Sequence, residues 1–243
     1  MKHLLISLLL TFNAIAYDAF IKPHELKNIL KEQNLILLDI SKRSAYEYSH
    51  VNGALHLDIS IFIKDKQTRM ADNFSKNVQK ELTKLGINKN SKVVIYTRNQ
   101  KQDSLNSTYL AFILIQHGFE DVTILDGGYM AWVFKYHDFI STKESKPSKD
   151  GTFEIKYNPS LLISNEHKTE KSQKLISFEH TDLFFDDFTL RSDSELRENL
   201  IEKFALNSED EILISAETVF EASPTWYIFY KKFGFKNAKI LQF

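Results

Sequence analysis

The chemistry open to this chain turns on one polar run, Thr97-Arg98-Asn99-Gln100-Lys101-Gln102-Asp103. Two cations and several amide donors in a row are groups that hold a small oxyanion such as phosphate, sulfate or thiosulfate. The run contains one hydroxyl, Thr97, and its only neighbouring base is Asp103. A hydroxyl without an activating base is a poor nucleophile, so Thr97 is not read as catalytic. The chain contains Cys 0. Thiolate catalysis, disulfides and thiolate metal sites are therefore excluded by composition.

The flanking residues predict how the run is held. Val93–Tyr96 is a short, β-branched apolar stretch of the kind that forms a buried strand. Ser104–His117 carries Leu105, Tyr109, Phe112 and Ile113 near helical spacing and stops at Gly118. A second apolar run, Val122–Leu125, ends in Asp126-Gly127-Gly128. Strand, polar loop, helix, strand is a βαβ unit, and its loop falls at the carboxyl end of a strand, where parallel sheets bind ligands.

That order resembles the rhodanese-like sulfurtransferases: Val93-Val94-Ile95-Tyr96, an active loop, a helix ending in His117-Gly118-Phe119, then the run Asp121 to Trp132. Upstream, Asp39, Arg43, Tyr46, His50, Gly53 and Ala54 are similar to the family's pattern. Ser49 and Asn52 depart from it, standing where the family usually has Gly and Pro. The resemblance implies activity of the thiosulfate or mercaptopyruvate sulfurtransferase class, with a persulfide-carrying cysteine at the position of Thr97. Since only Cys supplies that thiolate, the resemblance also implies an inactive variant. Asp39 and Arg43 are read as a structural pair supporting this segment. His50 and His56 lack further ligands at metal spacing and are read as hydrogen-bonded structural histidines.

The rest of the chain sets the frame. A hydrophobic content of 43% and net charge of −1 give no sign of a nucleic-acid or anionic-membrane partner. Residues 1–16 read as a signal peptide, with Lys2, the apolar run Leu4–Leu10 and the small-x-small Ala14-Ile15-Ala16. The apolar run is well short of the ~20 residues that span a bilayer. Ser141–Thr152 is a Lys/Ser/Pro/Gly linker. Beyond it, Leu200–Ser215 matches Glu81–Tyr96, and Gly234–Leu241 matches Gly118–Leu125, at offsets that differ by three. The second copy is expected to carry Ala216 at the cysteine position, a site loop Ala216–Ala222 three residues shorter than the first, and a helix opened by Ser223-Pro224. Ser192-x-x-Glu195 is a capping box. The acidic, aromatic run Asp182–Phe188 reads as a loop folding Phe onto the core rather than a calcium site.

The expected fold class is α/β, with two rhodanese-like domains, each a small parallel sheet flanked by helices, the second degenerate and shortened. The expected boundaries are 1–16 for the signal peptide, 17–140 for the first domain, 141–152 for the linker and 153–243 for the second. The expected product is a periplasmic or secreted, non-catalytic protein that binds thiosulfate, sulfite or another small oxyanion, or a periplasmic protein, with no cofactor, no metal and no membrane span after signal removal. Two alternatives stand beside it: a sulfurtransferase that uses a partner's thiol, and a purely structural interaction module.

Overall fold

A computed structural model describes residues 19–63, 72–164, 173–187, 189–207 and 209–242. The expected signal peptide and Phe188 lie outside the described residues. The first half runs β1 (Phe20–Ile21), α1 (Pro23–Ile29), β2 (Leu35–Asp39), α2 (Arg43–Tyr48), β3 (His50–Val51), β4 (Leu55–His56), α3 (Asp72–Lys84), β5 (Lys92–Tyr96), α4 (Gln100–Gln116), β6 (Val122–Leu125), α5 (Gly128–Tyr136) and β7 (Ile140–Ser141). Five of its strands form a parallel sheet in the order β1-β6-β5-β2-β4, while β3 and β7 make a small antiparallel ribbon.

Both faces of the five-stranded sheet are covered. Val93 and Ile95 of β5 pack into the cluster that holds Val78 and Leu82 of α3 and Phe112 of α4. Val94 and Tyr96 pack on the other side with Leu26 of α1 and Trp132 of α5. Burial on both faces is why these strands read as unbroken apolar runs rather than alternating ones.

The second half runs β8 (Leu162–Ser164), β9 (Gln173–Ile176), α6 (Asp193–Arg197), β10 (Glu211–Ser215), α7 (Val219–Tyr227) and β11 (Lys239–Gln242). Its parallel sheet has the order β8-β11-β10-β9. That is the order of the first sheet without a counterpart of β4. The register is kept as well: Val94 sits beside Thr123, and Leu213 beside Lys239, the positions equated by the sequence match. The capping box forms as read, with Ser192 Oγ accepting from Glu195 N and the Glu195 carboxylate accepting from Ser192 N. In the acidic run, Leu183 and Phe184 fold into the core while Phe185 stays partly exposed.

The structure corrects the expected helix starts. α4 begins at Gln100, not Ser104, and α7 begins at Val219, capped by Thr218, not at Ser223-Pro224. The site loops are therefore Thr97–Asn99 and Ala216–Thr218, equal in length. The three missing residues come out of the helix that follows. α4 has 17 residues, whereas α7 has 9 and continues as a five-residue π-helical turn, Ile228–Lys232.

Pro224 lies inside α7, where its missing N–H orphans the carbonyl four residues back, that of Phe220. Ser223 Oγ donates to that carbonyl at 2.8 Å, so the break is repaired locally.

The two halves share one apolar core. α4 packs along α7, with Phe112 edge-on to Trp226 at 4.8 Å and Tyr109 to Phe220 at 5.3 Å. Thr108 Oγ1 and Ser223 Oγ lie 2.9 Å apart across the seam. Tyr227 reaches from α7 into the first sheet, donating to the carbonyls of Ala19 and Val122.

The Lys/Ser/Pro/Gly segment is not a free tether. Gly151 N donates to Thr83 O, Phe153 N to Ile87 O, Lys156 N to His117 O and Asn158 N to Gln116 O. At its other end Ser145 N donates to Tyr46 OH. The contact is so close that a Cβ on Gly151 would fall 2.2 Å from Ile87 O.

Candidate functional site

Parallel register places Asp39 beside Tyr96, so the ends of β2 and β5 bring Asp39, Ser41 and Thr97 to one edge of the sheet. Thr97 is 1% exposed. Its Oγ1, Ser41 Oγ and Asp39 Oδ2 are buried oxygens with no hydrogen-bond partner among the described residues. Buried polar atoms are normally paired, so a group of such atoms marks a place built for something other than packing. Tyr96, just below, accepts from Val51 N at 3.0 Å. Burial, and then the Asp39 charge, push its phenol well above the usual tyrosine range.

The expected anion loop is closed on itself. Arg98 is only partly exposed. Its guanidinium donates to the carbonyls of Ala45 and Ser49 at the carboxyl end of α2, where a cation is favoured. It also lies 3.9 Å over the ring of Tyr129, whose hydroxyl donates to Ser49 Oγ at 2.7 Å. Tyr129 N in turn donates to Thr97 O, tying α5 to the loop. The amide of Asn99 donates to Asp103 Oδ2 at 3.3 Å. A carboxylate of the chain itself thus occupies the helix end where an external anion would sit. Burial pushes Asp103 up, against the Asn99 amide and the charge of Lys42. Gln100, Lys101 and Gln102 form the first turn of α4 rather than loop.

Arg43 is not paired with Asp39. It is exposed on α2 and donates to Glu47 at 2.7 Å and Glu144 at 2.8 Å, contacts that raise its pKa, the Glu47 bond foremost. Asp39 instead accepts from Ser41 N at 2.8 Å. Asp39 is sealed within the sheet end and α2 carries Arg43 outward, so the two cannot meet.

His50 is buried and stacked on Tyr46 at 3.8 Å, with Nδ1 against Tyr46 O and Nε2 against Lys143 O. His56 Nε2 lies 2.9 Å from Ser41 O. Tyr46 OH donates to Ala54 O. The Tyr46–Ala54 motif therefore braces the segment between α2 and β4.

Beside the loop lies a cavity of about 390 Å³ lined in part by Ser41, Lys42, Ser60, Arg98, Asp103 and Asn106. Sequence reading gave Lys42, Ser49 and Tyr129 no part in the site. Ser49 and Tyr129 stood in recognised motifs, Ser49 as a departure from the family's Gly and Tyr129 in the run after Gly127-Gly128. In the second half Ala216 follows β10 and Glu217 is exposed.

Parallel sheets of this strand order, covered by helices on both faces and with the polar loop at the strand ends, define an α/β protein of rhodanese fold. Residues 22–135 match the Rhodanese-like domain family. A thiosulfate sulfurtransferase, GlpE, of Pseudomonas fluorescens is 32% identical over 117 residues, covering 47% of this chain and 84% of that one. A putative thiosulfate sulfurtransferase of Mycolicibacterium smegmatis is 22% identical over 260 residues, 91% of each chain. The crystal structure of SseA from Escherichia coli, from a study of 3-mercaptopyruvate sulfotransferases, superposes with a TM-score of 0.71 at 15% identity. It covers 93% of this chain and 98% of that one. The chain belongs to the rhodanese family.

Proposed function

We propose that this chain is an exported, non-catalytic rhodanese-like protein that binds a small oxyanion, such as thiosulfate or sulfite, in the cavity beside Thr97. The observation that carries this reading is Thr97 itself: a buried hydroxyl stands at the nucleophile position, in a chain with Cys 0. The sulfurtransferases it resembles support the ligand class. The closed loop supports a location beside it, since Arg98 Nη2 and the Asn99 amide are already engaged, while Arg98 Nε has no partner among the described residues. The ligand lies against Lys42 and the hydroxyls of Ser41 and Ser60, and Asp103 competes with it. The second half, with its matching strand order and register, is read as a shortened copy of the first domain, and residues 1–16 as the export signal.

A partner thiol acting at Thr97 is the weaker reading, because it would have to displace Arg98 from Ala45 and Ser49. Two measurements test the proposal. Purified mature protein is expected to form no thiocyanate from thiosulfate and cyanide above the uncatalysed rate; turnover by the single chain ends the non-catalytic reading. Its melting temperature is expected to rise with thiosulfate or sulfite, and less in Lys42→Ala; no shift with either anion removes the ligand.

A further inference from the structure

At the opposite end of β2 and β5 from Thr97 lies a larger cavity, about 820 Å³. Its floor is the edge of β2. β4 pairs with β2 at Leu38 and Asp39, so beside Leu35, Ile36 and Leu37 the outer edge of β2 has no strand among the described residues. Asn34 O accepts from Lys92 N and Ile40 N donates to Tyr96 O, both toward β5. The alternation of a parallel strand then turns the backbone groups of Leu35 and Leu37 to the open side. Leu35 N is turned back to Glu32 O, leaving the Leu35 carbonyl and the Leu37 amide as the acceptor and donor of an edge with no backbone partner among the described residues.

The other wall is the segment 146–152, held at both ends by the hydrogen bonds of Ser145 and Gly151 and by two bonds from Thr152 to Asn88 Oδ1. Lys89, Lys146 and Lys149 line the cavity, and no carboxylate does among the described residues. An open strand edge in a groove with fixed walls asks for a second backbone. Three lysines at its rim ask for acidic side chains on that backbone.

We infer that this groove takes an extended acidic peptide, which adds a short strand to the outer edge of β2 at Leu35–Leu37 and places its carboxylates among Lys89, Lys146 and Lys149. The edge is about 10 Å long at ~3.3 Å per residue, so the pairing spans only a few residues and the charges supply specificity. Nothing in this site touches the Thr97 loop, so it stands or falls independently of the proposed oxyanion.

The test uses the full mature chain and a fluorescein-labelled octapeptide alternating Glu with Val, followed by anisotropy at low ionic strength. Three weakened signals are expected, each at least about tenfold: with Lys89, Lys146 and Lys149 all changed to Glu, with a Gln-Val peptide, and with the Glu-Val peptide methylated on alternate amides. Affinity is also expected to fall as salt rises. Equal binding of the methylated peptide, or complete displacement by equimolar inorganic phosphate, would reduce the groove to a site for anions in general and overturn strand addition. Equal binding of the Gln-Val peptide overturns the lysine rim, and no binding of any peptide overturns the whole inference. The peptide modifications leave the protein unaltered, so the test does not depend on how the lysine variant folds.

Discussion

A thiol placed at residue 97 would be buried, as Thr97 is. Thr97→Cys is accordingly expected to leave thiosulfate–cyanide turnover at background, even though it restores the family's residue type. Thiocyanate formation by that variant would show that the loop opens. In the proposed site Asp103 is the carboxylate that would compete with an incoming anion, and Asp103→Asn is expected to strengthen sulfite or thiosulfate binding several-fold by titration. Because burial raises the Asp103 pKa, the wild type should also gain anion affinity as pH falls and Asp103 protonates. A different titration belongs to His117, whose ring sits between Ile113 O at 2.8 Å and Ser75 Oγ at 3.1 Å. Burial lowers its pKa, so the unfolded chain binds the proton more readily than the folded one. Stability is therefore expected to fall as pH drops through about 6.5, the unfolded histidine value, and denaturant midpoints in His117→Gln should lose part of that slope. Residue types gave the missing chemistry directly, since zero cysteines needs no coordinates. They did not give the partners of Arg98 and Asp103, because only the fold decides that α2 presents its carbonyls to one and the Asn99 amide meets the other.

β5 and β6 were legible as apolar runs, and the starts of α4 and α7 were not. Ser104 and Ser223-Pro224 carry the chemistry of helix entry, yet both lie inside helices, where the Ser104 carbonyl accepts from the next turn and the Ser223 hydroxyl meets Thr108 at the seam between α4 and α7. Ser107 and Thr108 bond back to Ser104 O, and Ser223 bonds to Phe220 O. Ser223→Ala should leave Phe220 O without this partner and remove the contact with Thr108, costing about 1–3 kcal/mol by the usual penalty for an unmade buried bond, read from urea midpoints. The shortened second helix has a phase problem: removing three residues removes about 300° of rotation at 3.6 residues per turn. The wider i→i+5 turn advances less per residue and takes out part of the remaining ~60°, so the helix still delivers the chain to β11 in register. Gly151→Ala is the sharpest test of the pinned segment. The Cβ collision with Ile87 backbone cannot be relieved by a side chain, and a loss on the order of 2 kcal/mol or more should lower the melting temperature by at least about 4 °C.

Across the whole molecule the continuous core argues for one unfolding event. Calorimetry of the chain from Tyr17 onward is expected to show a single transition with matching calorimetric and van't Hoff enthalpies. A fragment ending at Ser141 would uncover Tyr109 and Phe112, which pack on Phe220 and Trp226, and is expected to aggregate rather than melt cooperatively. Two separated transitions would contradict the shared core. The matching blocks were visible in the sequence, but the seam was not, because the second half of α4, Tyr109–Ile115, is apolar on every side and periodicity cannot say which of its faces meets α7. The composition of Ser141–Thr152 reads as a flexible join, yet its backbone is stitched to α3, to Asn88 and to the Tyr46 hydroxyl. The molecule thus has no hinge where its sequence advertises one. The segment that joins the halves is itself part of the fold, so drawing them apart would break the bonds of Ser145, Gly151 and Thr152.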